Sequence, residues 1–238
     1  MTGNNIQVEE TDPLAELQSI LDNHVKLGVP GISLAIASAE KYWALTAGSV
    51  DVAATAPIDT SHGFGIGSIT KVFVAVVIFQ LVEEGKLQLS DTVGALLGPD
   101  LCHGIDNAAD ATIARLLSHH AGIDSWEDDS VWIRAGSGDK LDPVHIWGKT
   151  EPLEYIRRPR KTAPNQGEYG YANTNYTFLG LVIENITGHT AEAEIRRRIL
   201  TPLGMHDTFL EGFEQQPAAA EGDRSRGCAQ PWKNHRVS

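Results

Sequence analysis

The pattern of apolar positions predicts helices along most of the chain and strands in one short part of it. Asp12 and Pro13 open a segment whose apolar residues recur with helical spacing until Gly28, which is typical of an amphipathic helix. Two segments rich in strand formers follow, 31–38 and 41–48, around a brief polar turn. These residues predict a helix followed by a β-hairpin.

The longest apolar run begins near Ser68 and predicts a helix that ends at Gly85. Its residues are apolar around nearly the whole helix, and we therefore expect it to be buried on most sides. The run is interrupted by Gln80 and is too short to cross a bilayer, so no membrane span is predicted.

Further helices are predicted downstream. The segment 111–123 is typical of a helix that closes in a glycine turn, and 191–205 indicates a helix that stops at its Pro-Leu-Gly sequence. In 171–188 a stripe of apolar residues indicates a helix that is capped by Asn173 or Thr174 and ended by its final glycine.

These elements describe an α+β fold in a single domain, residues 1–238. Residues 12–60 supply the N-terminal helix and hairpin, 61–212 form a mostly helical region, and 213–238 are an irregular tail. A lone hairpin is marginal in water because its edges are unpaired. We therefore expect the sheet to need further strands, and we interpret the chain as truncated at its C-terminus.

Composition and charge exclude several partners and cofactors. The net charge of −12 disfavours binding to nucleic acid or to anionic membrane surfaces. Cys102 and Cys228 are too far apart in sequence to indicate a zinc site or a disulfide framework. His119 and His120 are adjacent and diverge on any regular element, so no metal site is predicted there. The N-terminus lacks the features of a secretory signal, which favours a cytoplasmic location.

The stretch FGIGSITKVF, residues 64–73, brings a serine and a lysine onto one helical turn. Ser68 and Lys71 are three positions apart and would lie on the same face, within mutual reach. A phosphate-binding loop is excluded because Thr70, and not a glycine, precedes Lys71. Two interpretations remain from these residues alone: Ser68 caps a buried helix from which Lys71 extends outward, or Ser68 is a nucleophile with Lys71 as its base.

Four segments of the chain occur in a recognisable order: GSITK (67–71), LLSHHAGI (116–123), YANTNYTFLG (171–180) and PLGMHDTFL (202–210). Together they resemble the serine β-lactamase and D-alanyl-D-alanine carboxypeptidase family, in particular its class C β-lactamase branch with esterase relatives. The resemblance covers about residues 12–212. It implies a β-lactamase/transpeptidase-like α+β fold, in which an antiparallel sheet is flanked by helices and accompanied by a helical region.

The family pattern of Ser-x-x-Lys followed by Tyr-x-Asn falls on Ser68, Lys71, Tyr171 and Asn173. The resemblance implies that Ser68 is the nucleophile and that Lys71, in a setting that disfavours a charged ammonium, is its base. It also implies that Tyr171 shares the proton and passes it to the leaving group, and that Asn173 binds a substrate carbonyl. The main-chain N–H of Ser68 would supply half of an oxyanion hole.

The third motif of the family, Lys-Thr-Gly or His-x-Gly on a strand, does not occur after Tyr171 in this sequence. Lys149 and Thr150 are followed by Glu151 and precede Tyr171, which is the wrong side. By resemblance, the strand of that motif supplies the second oxyanion N–H. Activity of the 238-residue chain on its own therefore stays open.

The function that these implications favour is a serine hydrolase that forms an acyl-enzyme at Ser68 on an amide, ester or β-lactam carbonyl. Its substrate is a small molecule or a peptide, and no metal or other cofactor is expected. D-alanyl carboxypeptidase, β-lactamase and carboxylesterase activities stay open, as does an acyltransferase that uses the same acyl-enzyme. The alternative from another class is a truncated, non-catalytic remnant of the family.

Structural roles remain open for several of these residues. Tyr171 could pack before a helix with Asn173 as its N-cap. We interpret Asn175 and Tyr176 as structural, and His119 as a residue that shapes a turn near the cleft. The acidic cluster that begins at position 124 is interpreted as the solvated face of a loop.

Overall fold

The computed structural model describes residues 12–136, 138–142, 145–157 and 165–214. Within these ranges the chain divides into two compact units, which meet between Gly65 and Ile66 along the sequence. The predicted irregular tail over 213–238 lies almost wholly outside the described residues. The assignment of the whole chain to one domain stays a prediction.

The first unit contains one helix and one hairpin, as the sequence predicts. Helix α1 spans Pro13–Lys26, and the Asp12 carboxylate accepts the N–H of Leu14 at 3.0 Å to cap it. Strands β1 (Gly31–Ala37) and β2 (Tyr42–Gly48) pair antiparallel, and they form the whole sheet among the residues that the structure describes. This unit is the strand-bearing part of an α+β arrangement.

The second unit begins with the helix that carries the serine-lysine pair. A 3₁₀ turn at Gly67–Ile69 leads into α2, Thr70–Glu83. One side of α2 is buried through Val74, Val77, Ile78 and Leu81. The expectation of burial on most sides is wrong, because a second side of this segment is exposed through Ile69, Val72, Val76 and Phe79. An apolar residue pattern without a polar face does not tell which side of a helix is covered.

Short helices connect α2 to the last part of the unit. They are α3 (Val93–Leu97), α4 (Pro99–Cys102), α5 (Ile113–Leu117) and α6 (Ser130–Gly136), with 3₁₀ turns at Trp126–Asp128 and Glu151–Ile156. The hydroxyl of Thr92 caps α3 and that of Thr112 caps α5, each by accepting a main-chain N–H three residues on.

The predicted helix over 111–123 is too long. Helix α5 ends at Leu117, and His119 adopts a left-handed conformation with φ of 58°. A left-handed residue cannot continue an α-helix, and Gly122 follows with φ of 65°. The LLSHHAGI segment is therefore half helix and half turn.

The last helices agree with the predicted positions but not with the predicted cap. Helix α7 spans Asn173–Thr187, and Gly188 ends it in the left-handed conformation. Its N-cap is Ala172, without a capping side chain, so the expected cap by Asn173 or Thr174 is wrong. The polar groups of those two side chains are bonded elsewhere. Helix α8 (Ala191–Ile195) continues into a π-helical turn, Arg196–Leu200.

The core of the second unit lies where α2, α5 and α8 meet α7. Its fully buried side chains are mostly branched aliphatic, which gives dense packing between helices. They include Val77, Ile78, Leu81, Ile113, Leu116, Leu153, Phe178, Leu179, Val182 and Ile183. Because α2 and α7 pack directly, this core fixes the two helix N-termini beside each other. No helix within the described ranges has the length and apolarity needed to cross a bilayer.

Candidate active site

Ser68 lies in the turn that opens α2. Gly67 has φ of 52°, a conformation that side chains rarely adopt, and it turns the chain into the helix. Ser68 is exposed and makes no capping bond at this helix start, so it is not the N-cap that one interpretation required. Lys71 is half-buried one turn further on.

Four predicted side chains come together at this point. The Ser68 Oγ lies 2.7 Å from the phenol oxygen of Tyr171, and the Lys71 Nζ donates to the same Oγ at 3.0 Å. Lys71 also donates to the Oδ1 of Asn173 at 2.6 Å. Tyr171 and Asn173 reach the pair because α7 begins beside α2. The serine hydroxyl is therefore held between an amine and a phenol, each of which can carry its proton.

The surroundings of Tyr171 lower the pKa of its phenol. Hydrogen bonding from Lys71 and then from Ser68 lowers the pKa of Tyr171 below its ordinary value of 10.0. The Lys71 Nζ also lies 5.0 Å from the centre of the Tyr171 ring. A phenolate beside Ser68 consequently forms at lower pH than in free tyrosine.

The amide of Asn173 has a fixed orientation. Its Oδ1 accepts from Lys71, its Nδ2 donates to the carboxylate of Glu127, and its main-chain N–H donates to the Ser125 Oγ at 3.0 Å. Because a carboxylate accepts only, the amide nitrogen must face Glu127 and the amide oxygen must face Lys71. One N–H of the amide group remains for a further acceptor.

Glu127 is the residue of this cluster that the sequence did not predict. It belongs to the acidic segment that was interpreted as a solvated loop face, and that interpretation is wrong for two members. Glu127 is half-buried against Asn173, and Asp129 is 3% exposed and accepts the N–H groups that open α6. Glu127 and Asn173 are 46 positions apart, so no local spacing could have related them.

The loop that carries Glu127 is bonded to the first turns of α7. The main-chain N–H of Trp126 donates to Thr174 at 3.2 Å, and its indole N–H donates to Thr177 at 3.1 Å. The Thr174 hydroxyl donates in turn to the carbonyl of Asp124 at 2.7 Å. These bonds hold the carboxylate of Glu127 at a fixed distance from the start of the helix.

Lys149 does not join the cluster. Its Nζ donates to the carboxylates of Glu184 and of Glu192, the latter at 2.6 Å. Both partners are charged, so Lys149 serves as the cation of an ion-pair network. In the part of the chain that the structure describes, no three His, Cys, Asp or Glu side chains are grouped so that they could hold a metal ion.

Nearly the whole chain matches one protein family. The family model described as Beta-lactamase matches residues 17–236. The chain belongs to the β-lactamase family. This confirms the resemblance found from the four sequence segments, and the matched range extends past the residue 212 at which the resemblance ended.

Two similar proteins and one solved structure are each 28–29% identical to this chain. It is 28% identical over 186 residues to penicillin-binding protein 4 of Amycolatopsis lactamdurans, covering 76% of this chain and 45% of that protein. It is 29% identical over 187 residues to unguisins hydrolase ungD of Aspergillus violaceofuscus (strain CBS 115571), covering 76% and 32% respectively. The crystal structure of D-amino acid amidase from Ochrobactrum anthropi SV3, complexed with L-phenylalanine, matches with a TM-score of 0.71 and 28% identity, covering 86% of this chain and 53% of that chain.

The structural match confirms the predicted β-lactamase/transpeptidase-like α+β fold. The chain spans about half or less of the length of these three proteins.

Proposed function

We propose that this member of the β-lactamase family is a serine hydrolase that forms an acyl-enzyme at Ser68. Its substrate carries an amide, ester or β-lactam carbonyl on a small molecule or a peptide. The observation that carries the proposal is the position of the Ser68 Oγ, within hydrogen-bond distance of both the Lys71 Nζ and the Tyr171 hydroxyl. A serine hydroxyl is a weak nucleophile until such a base takes its proton.

Acylation begins when the Ser68 Oγ attacks the carbonyl carbon. The hydroxyl proton passes to Lys71 or to Tyr171, and the carbonyl oxygen becomes an oxyanion. The main-chain N–H of Ser68 stabilises that oxyanion as one donor of the hole. The bond to the leaving group then breaks, and the leaving group takes a proton from Tyr171, which regains it from Lys71 where Lys71 was the first acceptor. Attack by water on the ester at Ser68 releases the acid and restores the hydroxyl.

Asn173 serves two partners in this scheme. Its Oδ1 keeps Lys71 beside Ser68, and its remaining amide N–H donates to a carbonyl of the substrate. Glu127 fixes the orientation of the amide, since it occupies the other N–H. This division of roles supports Asn173 as a substrate-binding residue and Ser68, Lys71 and Tyr171 as catalytic residues.

The related proteins support the range of substrates. One is a penicillin-binding protein, and penicillin presents a β-lactam carbonyl. Another is an amidase of D-amino acids, and a third is a hydrolase of unguisins. The ligand named for the first and the substrate named for the second both contain an amide-type carbonyl, and the serine cluster described above suits attack on such a group.

The test is covalent labelling of the purified full-length protein with a fluorescent penicillin and with a fluorophosphonate. We expect both Ser90→Ala and the unchanged protein to be labelled, because Ser90 is an exposed serine outside the cluster. Ser68→Ala should not be labelled while its near-UV circular dichroism stays that of the folded protein. Equal labelling of Ser68→Ala would remove Ser68 from the reaction. Turnover of a D-amino acid amide, a cephalosporin and a chromogenic ester then distinguishes the substrate classes.

A further inference from the structure

We propose that His119 is a positioning residue for acylation, whose Nδ1 holds the segment Tyr171–Asn173 in register with Ser68. The catalytic consequence rests on the proposed function. The Nδ1 accepts the main-chain N–H of Ala172 at 3.2 Å, and Ala172 is the residue between Tyr171 and Asn173. Both side chains that face Ser68 and Lys71 therefore extend from a peptide segment that is bonded to one imidazole.

A second bond from the same residue holds the other side of Tyr171. The carbonyl oxygen of His119 accepts the N–H of Gly170 at 2.8 Å. The left-handed conformation of His119 ends the α5 turn just where its carbonyl and its ring meet the segment 170–172. Main-chain groups on both sides of Tyr171 are thus bonded to His119, and a small displacement of either would move the phenol relative to Ser68.

The ring of His119 also packs directly on the aromatic residues of the site. Its centre lies 4.4 Å from that of Tyr171, with the planes inclined by 30°, and 5.3 Å from that of Tyr176. Tyr176 is itself fixed, because its hydroxyl donates to the carbonyl of Leu117 at 3.1 Å. His119 is only 9% exposed, so its ring has little room to rotate away.

The hydrogen-bonding pattern fixes the protonation state of the ring. A main-chain N–H can only donate, so the Nδ1 must present a lone pair to Ala172. The side-chain amide of Asn175, which is 1% exposed, lies 3.0 Å from the same nitrogen with its Nδ2 facing the ring. A proton on Nδ1 would leave the main-chain N–H of Ala172 without its acceptor. The working form of His119 is therefore the neutral ring with its proton on Nε2.

The charged and titratable groups around the ring favour that neutral form. Burial first, then the positive charge of Lys71 and then His120, lower the pKa of His119 below 6.5. Titratable groups face the ring from four parts of the unit. They are Lys71 on α2, His120 in the turn after α5, Tyr169 and Tyr171 in the segment before α7, and Tyr176 on α7. The charge of Glu127 opposes ionisation of Tyr171, and its carboxylate contacts the side chain of Asn173.

The sign of the pH effect follows from the lowered pKa. In the unfolded chain this histidine binds a proton near pH 6.5, whereas in the folded chain it binds one only at lower pH. The contribution of His119 to stability is therefore fully present above pH 6.5 and is lost as the pH falls through the lowered pKa. Acylation that depends on the position of Tyr171 should decline over the same interval.

Two substitutions separate the acceptor from the ring. His119→Asn keeps an acceptor, since the asparagine Oδ1 takes the place of Nδ1, and it tolerates the left-handed backbone but cannot be protonated. His119→Phe keeps a ring against Tyr171 but removes the acceptor. His120→Asn is the matched control, because His120 is the half-buried neighbour whose Nδ1 bonds to Ser118 and not to the segment of Tyr171.

We expect His119→Phe to slow acylation of Ser68 by about 10²-fold, the loss that follows a displacement of about 1 Å at a reacting centre. His119→Asn should acylate within about tenfold of the rate of the unchanged protein. Its acylation rate should also fall less at low pH, because the asparagine cannot be protonated. His120→Asn should acylate as the unchanged protein does. Equal rates for His119→Phe and His120→Asn would overturn the proposal.

A readout that needs no activity is the titration of Tyr171, followed by NMR with labelled tyrosine. In His119→Phe the pKa of Tyr171 should return towards 10.0, because the phenol no longer lies against Lys71 and Ser68. If the unchanged protein proves inactive while this pKa responds, the proposed hydrolase function fails and the positioning role stands. An unchanged pKa in a folded His119→Phe overturns the positioning role.

The third measurement uses the unchanged protein, so it does not depend on any variant folding. The ¹⁵N spectrum of its histidines should give His119 as the neutral ring with the proton on Nε2 at pH 7. A proton on the Nδ1 of His119 at that pH would overturn the proposal.

Discussion

Two lysines in the second unit have opposite surroundings. The Nζ of Lys149 contacts the carboxylates of Glu184 and Glu192 and lies 5.0 Å from the ring centre of Phe213. Burial opposes its charge, yet the hydrogen bonds and charges of the two carboxylates prevail and raise the pKa of Lys149. Within the described residues, the hydrogen-bond acceptors of Lys71 are instead amide and hydroxyl oxygens, those of Asn173, Ser68 and Tyr171.

The difference shows how one unit uses the same side chain in two ways. Two contacting carboxylates make Lys149 a permanent cation that joins α7 to α8. Glu127 is separated from Lys71 by the amide of Asn173, because its carboxylate contacts the amide nitrogen while the amide oxygen contacts Lys71. With no carboxylate in direct contact with Lys71 among the described residues, a proton exchange between Lys71 and Ser68 breaks no ion pair there.

The largest effect is expected at Lys71. Lys71→Ala should slow acylation of Ser68 by about 10²–10⁴-fold, the usual contribution of a general base, and should leave the thermal unfolding midpoint nearly unchanged. Lys71→Arg is the control that keeps the charge, and it should be slow as well because arginine does not release its proton. Stopped-flow measurement with a fluorescent penicillin gives the rates. Acylation by Lys71→Ala at the rate of the unchanged protein would end the proton-transfer role.

The second effect concerns pH and Tyr171. In the unchanged protein, acylation should rise with pH until the pH reaches the pKa of Tyr171, which lies below 10.0, because the phenolate shares with Lys71 the task of taking the proton of Ser68. Tyr171→Phe should lose this rise and acylate about 10²-fold more slowly on the alkaline side. The rate profile between about pH 6 and pH 10 of both proteins tests this. Superimposable profiles would exclude the phenol as a proton carrier.

The third effect is expected at Lys149, where a substitution should lower the free energy of unfolding and leave the acylation rate unchanged. Lys149→Met leaves Glu184 and Glu192 without their cation, and we expect a loss of about 1–3 kcal/mol in the free energy of unfolding. This value lies below that of a fully buried pair because the Lys149 side chain is 25% exposed. Below the denaturation transition, acylation should match that of the unchanged protein. A loss of acylation equal to that of Lys71→Ala would remove the distinction between the two lysines.

The smallest effect is expected at Glu127. Glu127→Gln keeps an oxygen that accepts from Asn173, so acylation should stay within about threefold of the unchanged protein. Glu127→Ala leaves the amide nitrogen without that acceptor and frees the amide to turn, which should cost about tenfold. Rates for the two variants, measured side by side, test whether Glu127 orients Asn173. If the glutamine variant were the slower of the two, the charge of Glu127 would matter more than its hydrogen bond.

The sequence could predict the part of the site that is local. Ser68 and Lys71 lie on one helical turn, and the three-residue spacing alone places them on one face. Tyr171 is 103 positions from Ser68, so only the family resemblance related the two residues. Glu127 had neither a local spacing nor a motif, and its acidic neighbours resembled an ordinary solvated loop.

The helices and strands of the fold were predictable from the sequence, but some of their ends and caps were not. Helix α1 and the hairpin follow from periodicity and from the cap at Asp12. The end of α5 did not, because a histidine in the left-handed conformation at position 119 leaves no mark in the apolar pattern. The cap of α7 was also mispredicted, since the side chains of Asn173 and Thr174 serve the site and its loop instead. A cytoplasmic location stays a prediction from the sequence.

The most direct test of the central claim is to locate the covalent bond. The full-length protein is treated with a fluorophosphonate, which adds its phosphonyl group and releases fluoride, and is then digested and sequenced by tandem mass spectrometry. The account predicts one phosphonyl group on the Oγ of Ser68, in the peptide that continues into Lys71. A phosphonyl group on another residue of the folded protein, or none at all, would contradict it.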